Sequence, residues 1–201
     1  VDSGVVAIDL GWWGSTRAVR RALAVIGATP AAVTHVFLTH SHRDHIGAWR
    51  LVRGSTFHLA AREKPAFFGS ERHEGFLPRG AERLRQSDLP MEGEIAVRTF
   101  SRDTAFVFGA DTLRAYLVPG HTAGSAVYLF RGILFLGDAV GYMPIGGFRP
   151  ALSMFSNDAD KARASLASLW KRLPETGVTH ACTAHAECAP FSKAFVEEIQ
   201  R

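Results

Sequence analysis

The chain predicts an α/β fold, and three observations carry that prediction. Apolar runs of strand length alternate with segments whose apolar residues recur at helical spacing. No repeat, low-complexity tract or Pro/Gly/Ser-rich linker divides the chain, so residues 1–201 read as one domain. At 201 residues, 47% hydrophobic and 21% charged, it has enough apolar material for a sizeable core and too much for disorder.

VVAIDLG opens the series as a short buried strand ending at Gly11. STRAVRRALAVIGATP follows as a capped helix with Val19, Leu23 and Ile26 on one face and Gly27 as its stop. The next strand is VTHVFLT, after which HIGAWRLVRG reads as a helix closed by Gly54 and TFHLA as a further strand. Such alternation favours a sheet covered by helices. From 63 to 91 the chain mixes short helical pieces with Gly and Pro breaks, as functional lids often do. The strand candidates IAVRTF, AFVF, TLRAYLV, SAVYLF and ILFLG then crowd together, and their close spacing predicts a largely antiparallel meander. A capped helix over 158–173 sets Ala162, Leu166, Leu169 and Leu173 on one stripe before Pro174 ends it. THACTA is the last strand, and a helix from Phe191 closes the chain.

Several functional classes are disfavoured. The formal net charge is only +4 and the Lys and Arg residues are scattered, so no nucleic-acid partner is expected. No uninterrupted apolar run approaches the roughly 20 residues that cross a bilayer, so no membrane partner is expected either. The opening VDSGVV has neither Met nor a signal-peptide pattern, and Val1 is read as lying inside the gene. Cys182 and Cys188 offer no disulfide framework; one bridge between them stays open, but both read as packing residues. A cytoplasmic location is the default expectation, and no oligomeric state is specified.

The segment THSHRDH, Thr39 to His45, crowds three histidines and an aspartate onto the end of a strand. Side chains two apart in an extended segment point the same way, so His40 and His42 can reach one ion together. Asp44 and His45 sit where the next helix begins, and the change of direction there aims them at a second ion. His121 in VPGHTAGS, Asp138 in LFLGDAV and His185 in CTAHAEC each follow an apolar strand. Strand ends meet at one edge of a sheet, so these distant positions can converge. His and carboxylate donors suit zinc or iron, and the set is too large for one ion and about right for two. His180 is the nearest rival to His185 but opens its strand; His35, His58, His73 and His180 read as ordinary core or surface residues.

From AIDLG to TAHAE, nearly the whole chain, the sequence resembles the metallo-β-lactamase-fold superfamily of metallohydrolases, which includes glyoxalase II, lactonases and ribonuclease Z. The resemblance implies a four-layer αββα sandwich with mixed, largely antiparallel sheets. It also implies two zinc ions per chain, with iron or manganese as alternatives. His40, His42 and His121 would hold the first, Asp44, His45 and His185 the second, and Asp138 would bridge them. Asp9 matches a family position that supports the histidine loop. The family carries a strand pair before this segment, and the short stretch preceding Asp9 here leads us to expect a trimmed N-terminal edge.

The implied activity is hydrolysis of a small ester, lactone, thioester or amide by a metal-bound hydroxide, because a bound ion lowers the pKa of water from about 15.7 to near 7. Asp44 and Asp138 would be catalytic as well as ligating. Tyr142, shortly beyond Asp138, can donate to a substrate oxygen or simply pack. One alternative is a mononuclear iron sulfur oxidoreductase of the persulfide dioxygenase kind, using His40, His121 and Asp138, although VGYMPIGGFRP matches that branch poorly. Others are a ribonuclease Z-like phosphodiesterase, for which no RNA-gripping insertion is visible, and a metal-holding sensor without turnover. Residues 63–91 and 142–148 are expected to wall the pocket of a small-molecule substrate. Phe67, Phe68, Phe76 and Leu77 would either line that pocket or fill the core.

Overall fold

In the computed structural model, which describes residues 4–12, 14–73 and 89–200, apolar residues occupy both faces of the central strands. In β2 (Val33–Phe37) and β3 (Thr56–Ala60), Val36, Phe57 and Leu59 face one way, and Phe37 and Ala60 the other. Successive side chains in a strand alternate between faces, so a strand apolar on both must be covered on both. With β1 (Val5–Ile8) and β4 (Ala96–Phe100) these strands form a parallel sheet in the order β1-β2-β3-β4. The outer face packs on Leu23 of α1 (Thr16–Val25) and on Trp49, Val52 and Phe67 from the turns that follow β2 and β3.

The second sheet repeats the pattern. Its strands are β5 (Thr104–Phe108), β6 (Asp111–Leu117), β7 (Ala126–Phe130), β8 (Ile133–Gly137), β11 (His180–Thr183) and β12 (Cys188–Pro190), in the order β12-β11-β8-β7-β6-β5. Leu113, Ala115, Ala126 and Tyr128 face the first sheet, where they meet Phe37, Ala60 and Phe100. Val127, Leu129, Leu134, Leu136 and Ala181 face outward against Leu166 and Leu169 of α4 (Ala159–Arg172) and Phe195 and Ile199 of α5 (Lys193–Ile199). Three apolar interlayers thus separate four layers, the αββα sandwich that was expected. The buried Tyr128 hydroxyl donates to the Leu38 carbonyl at 2.7 Å and pins the sheets together just before the histidine loop.

Several local expectations need correction. Ile26 is 64% exposed, because Gly27 (φ +68) turns the chain away before it can reach the core, and Ser15 makes no side-chain cap. HIGAWRLVRG is not one helix: the short α2 (Arg43–Ile46) stops at Gly47, and a separate turn covers Trp49–Val52. The strand from IAVRTF leaves the meander and joins the first sheet in parallel. β9 (Val140–Met143) and β10 (Gly147–Pro150), absent from the expected strands, form their own antiparallel hairpin. The C-terminal helices keep their signals, with the Asp158 side chain accepting from Lys161 N and that of Ser192 from Phe195 N. No helix among the described residues is long and apolar enough to cross a membrane.

Two histidines lie between the sheets. His58 is 3% exposed, stacks on Phe37, and shares a 3.0 Å hydrogen bond between its Nε2 and His35 Nδ1. Burial, then His35 and Arg98, push the His58 pKa down to about 4. A histidine depressed in this way keeps its full stability above the unfolded value near 6.5 and loses it as pH falls toward the folded value, because only the unfolded chain takes up the proton. Between pH 7 and pH 4.5 we expect His58 to remove about 2 kcal/mol of unfolding free energy. Urea titrations of wild type and His58→Phe at both pH values measure this, with the variant showing the shallower pH dependence. Equal dependence in the two proteins would show that His58 is not the source.

Candidate metal centre

Four strand ends assemble the site. β6, β8 and β11 run in the same direction, because β7 is antiparallel to both β6 and β8 and β11 is parallel to β8. Their C-terminal ends therefore share one edge, and His121, Asp138 and His185 follow them there. The loop after β2 in the facing sheet delivers His40 and His42, and α2 delivers Asp44 and His45. Gly137 at φ +52 permits this approach, since a Cβ at that position would stand 2.6 Å from the Thr39 side chain.

The seven residues form two groups that share a member: His40, His42, His121 and Asp138, and Asp44, His45, Asp138 and His185. In the first group, His40 Nε2, His42 Nδ1 and His121 Nε2 lie 2.9, 3.1 and 3.2 Å from one another. Ligand nitrogens on tetrahedral zinc, with arms of about 2.0–2.1 Å, are separated by about 3.3 Å, so this triangle needs little adjustment to hold an ion. In the second group, His185 Nε2 lies 3.3 Å from both Asp44 Oδ2 and Asp138 Oδ1, and His45 Nε2 lies 3.4 Å from Asp138 Oδ1. Asp138 Oδ2 turns the other way, 3.7 Å from His121 Nε2. His45 Nε2 and Asp138 Oδ1 are buried without a hydrogen bond, so the protein itself does not satisfy them. The donor set therefore fits divalent metal.

Electrostatics separate the two groups. Burial pushes His40, His42 and His121 down, toward the neutral imidazoles whose lone pairs bind metal. Burial also opposes charge on His45, but Asp9 and Asp138 outweigh it and hold that ring above the ordinary range. The carboxylates of Asp138 and Asp44, each 3.3 Å from its Nε2, raise His185 to about 10. Burial disfavours charge on Asp138, yet His185 and His45 hold it well below the usual carboxylate range; Asp44 is lowered against its own burial by His185 and His45. Asp9 stands behind the loop as expected. Its Oδ1 accepts from Thr39 N at 2.8 Å, and its Oδ2 accepts from Thr39 Oγ1 at 2.7 Å and lies 2.8 Å from His45 Nδ1. A carboxylate on the far ring nitrogen orients an imidazole and fixes its tautomer.

Other expectations fare differently. His180 is exposed, and its ring Nδ1 lies 3.1 Å from the neighbouring Thr179 Oγ1, away from the cluster. Cys182 and Cys188, read as packing residues, are bonded to each other across β11 and β12 and close the loop that carries His185. Tyr142 lies on the exposed face of β9 and packs against Phe148, and it lines neither the cavity that borders the cluster nor the one beside Glu63. One of these, about 680 Å³, borders Asp44, His45 and His185; the other, about 640 Å³, borders Glu63, His73 and Thr122. Met143 and Ile145, from the expected wall at 142–148, face a different cavity beside Trp170 of α4, apart from the one that Glu63 and His73 border; residues 74–88 of the other expected wall, 63–91, lie outside the described residues. Phe67 is fully buried against Phe57 and is a core residue; Phe68 packs on the same cluster, and Phe76 and Leu77 lie outside the described residues. Sequence reasoning missed Glu63 and His73, both buried beside the first group.

An αββα sandwich with a His/Asp cluster at its strand ends is the architecture of a metallohydrolase. The model of the metallo-beta-lactamase superfamily matches residues 1–181, and the chain belongs to that family. It is 30% identical over 145 residues to the uncharacterized protein YobT of Bacillus subtilis, and 30% identical over 131 residues to a hydroxyacylglutathione hydrolase of Rhizobium etli. These alignments take in 69% and 61% of this chain but 58% and 41% of the relatives, so the chain spans about half the length of the curated proteins it matches. Among solved structures, the BLEG-1 B3 metallo-beta-lactamase superposes with a TM-score of 0.71 at 22% identity, over 94% of this chain and 84% of that one. The Rm3 metallo-beta-lactamase gives 0.66 at 18% identity, over 92% and 69%.

Proposed function

We propose that the protein is a dinuclear metal-dependent hydrolase acting on a small acyl substrate, an ester, lactone, thioester or amide. The observation that carries this reading is the division of Asp138, whose Oδ1 faces His45 and His185 while its Oδ2 faces His121. His40, His42 and His121 would hold one ion, Asp44, His45 and His185 the other, and Asp138 both. Zinc suits these donors, and such a pair supplies Lewis acidity and makes water acidic enough to be a nucleophile near neutral pH. Asp138 would orient the attacking water, and Asp44 would add negative charge beside His185. Asp9 keeps His45 turned toward the centre through its Nδ1. The hydroxyacylglutathione hydrolase relative supports the acyl class. Metal analysis of the purified protein, combined with a panel of lactones, thioesters, β-lactams and phosphodiesters, tests the proposal. Two ions per chain and turnover of an acyl substrate are expected. A single iron in a protein that oxidises persulfides would overturn it.

A further inference from the structure

Glu63 ends the turn Ala61–Glu63 directly after β3 and, though charged, is 1% exposed. Its carboxylate takes four hydrogen bonds from two different loops. Oε2 accepts from Ser41 N at 2.8 Å and Ser41 Oγ at 2.6 Å; Oε1 accepts from Thr122 Oγ1 at 2.7 Å and Gly124 N at 2.8 Å. Ser41 lies between His40 and His42, and Thr122 follows His121. One side chain therefore spans the loop from the first sheet and the loop from the second, and these are the loops whose nitrogens form the first triangle. Two donors on each oxygen compensate the burial of the carboxylate. His73 Nε2, 3.0 Å from Ser41 Oγ, extends the network on the side of His42.

We infer that Glu63 is a positioning residue for the first metal site, setting the spacing of His40 and His42 against His121; this rests on the dinuclear reading above. An amide at this position keeps the shape but directs an NH2 at two groups that already donate. Glu63→Gln should therefore weaken the first site selectively, by the 10–100-fold typical when a ligand's supporting partner is lost. Gly124→Ala provides a second route, because its Cβ would stand 2.9 Å from Glu63 Cγ and displace the carboxylate without removing its charge.

The test is titration of metal-free protein with Co(II), followed by visible absorption, with circular dichroism and a thermal melt for each variant. Wild type should bind two cobalt ions. Glu63→Gln, or Gly124→Ala if the former does not fold, should lose affinity for one and keep the other. Asp44→Ala should lose the opposite ion, so that the double variant binds neither tightly. Unchanged affinities in both Glu63→Gln and Gly124→Ala, or equal weakening of the two ions, would overturn the positioning role while leaving the dinuclear reading intact. A wild type that binds no cobalt, or only one ion, would overturn the dinuclear reading itself.

Discussion

Asp138→Asn should lower acyl hydrolysis by about three orders of magnitude, equivalent to roughly 4 kcal/mol at 1.36 kcal/mol per tenfold change. The size of the effect follows from geometry. Every other ligand candidate belongs to one group, whereas Asp138 belongs to both. Asparagine keeps one oxygen and turns an amide toward either His121 or the pair His45 and His185, so one group loses its shared anion whichever way the side chain settles. Charge matters as well as shape. His45 and His185 balance Asp138 in the protein alone, and a pair of divalent ions would depend still more on that carboxylate. Metal content should fall below two ions per chain, while circular dichroism should remain that of the wild type. His180→Ala, on an exposed ring away from the cluster, provides the matched control and should change neither. An Asp138→Asn protein retaining both ions and more than a tenth of the activity would sink the bridging assignment.

The ligand candidates were legible because His40, His121, Asp138 and His185 each follow an apolar run, where a polar metal-capable residue has little reason to be except at the rim of a sheet, and because His42, Asp44 and His45 crowd behind the first of them. VTHVFL leads to His40, LFLG to Asp138 and ACTA to His185. Glu63 carried no comparable signal. Its run, HLAAREK, ends in three charged residues, and only contacts with Ser41 and with Thr122 and Gly124, far along the chain, make one of them a buried carboxylate. The pairing of β4 was hidden for the same reason. Close sequence spacing suggests a hairpin, but the choice between sheets is made by β3, whose free edge accepts β4 over five residue pairs. The β9–β10 hairpin was obscured by Pro144, Gly146 and Gly147, residues that equally mark a tight turn between strands and an irregular loop.

Phe67→Ala should destabilise the fold by about 3–5 kcal/mol, the range for removing a buried aromatic ring. For a chain of this size that amounts to a fall in Tm of about 10 °C. Phe67 is 0% exposed, and its ring lies 5.9 Å from that of Phe57 and 5.1 Å from that of Phe68. It fills the outer interlayer together with Leu38, Trp49 and Leu59, and three separate elements would have to move to close the space it leaves. Phe67 is the buried residue of the short α3 (Lys64–Phe67), and Phe68 packs beside it on the same cluster. Phe68→Ala should cost less, because that ring is only partly buried. Two readouts separate core from pocket. If Phe67 is core, thermal melts shift while the ratio of rates on two acyl substrates of different size stays constant below the transition. If the melt is unmoved and the ratio changes, the ring faces substrate and its place in the apolar interlayer is wrong.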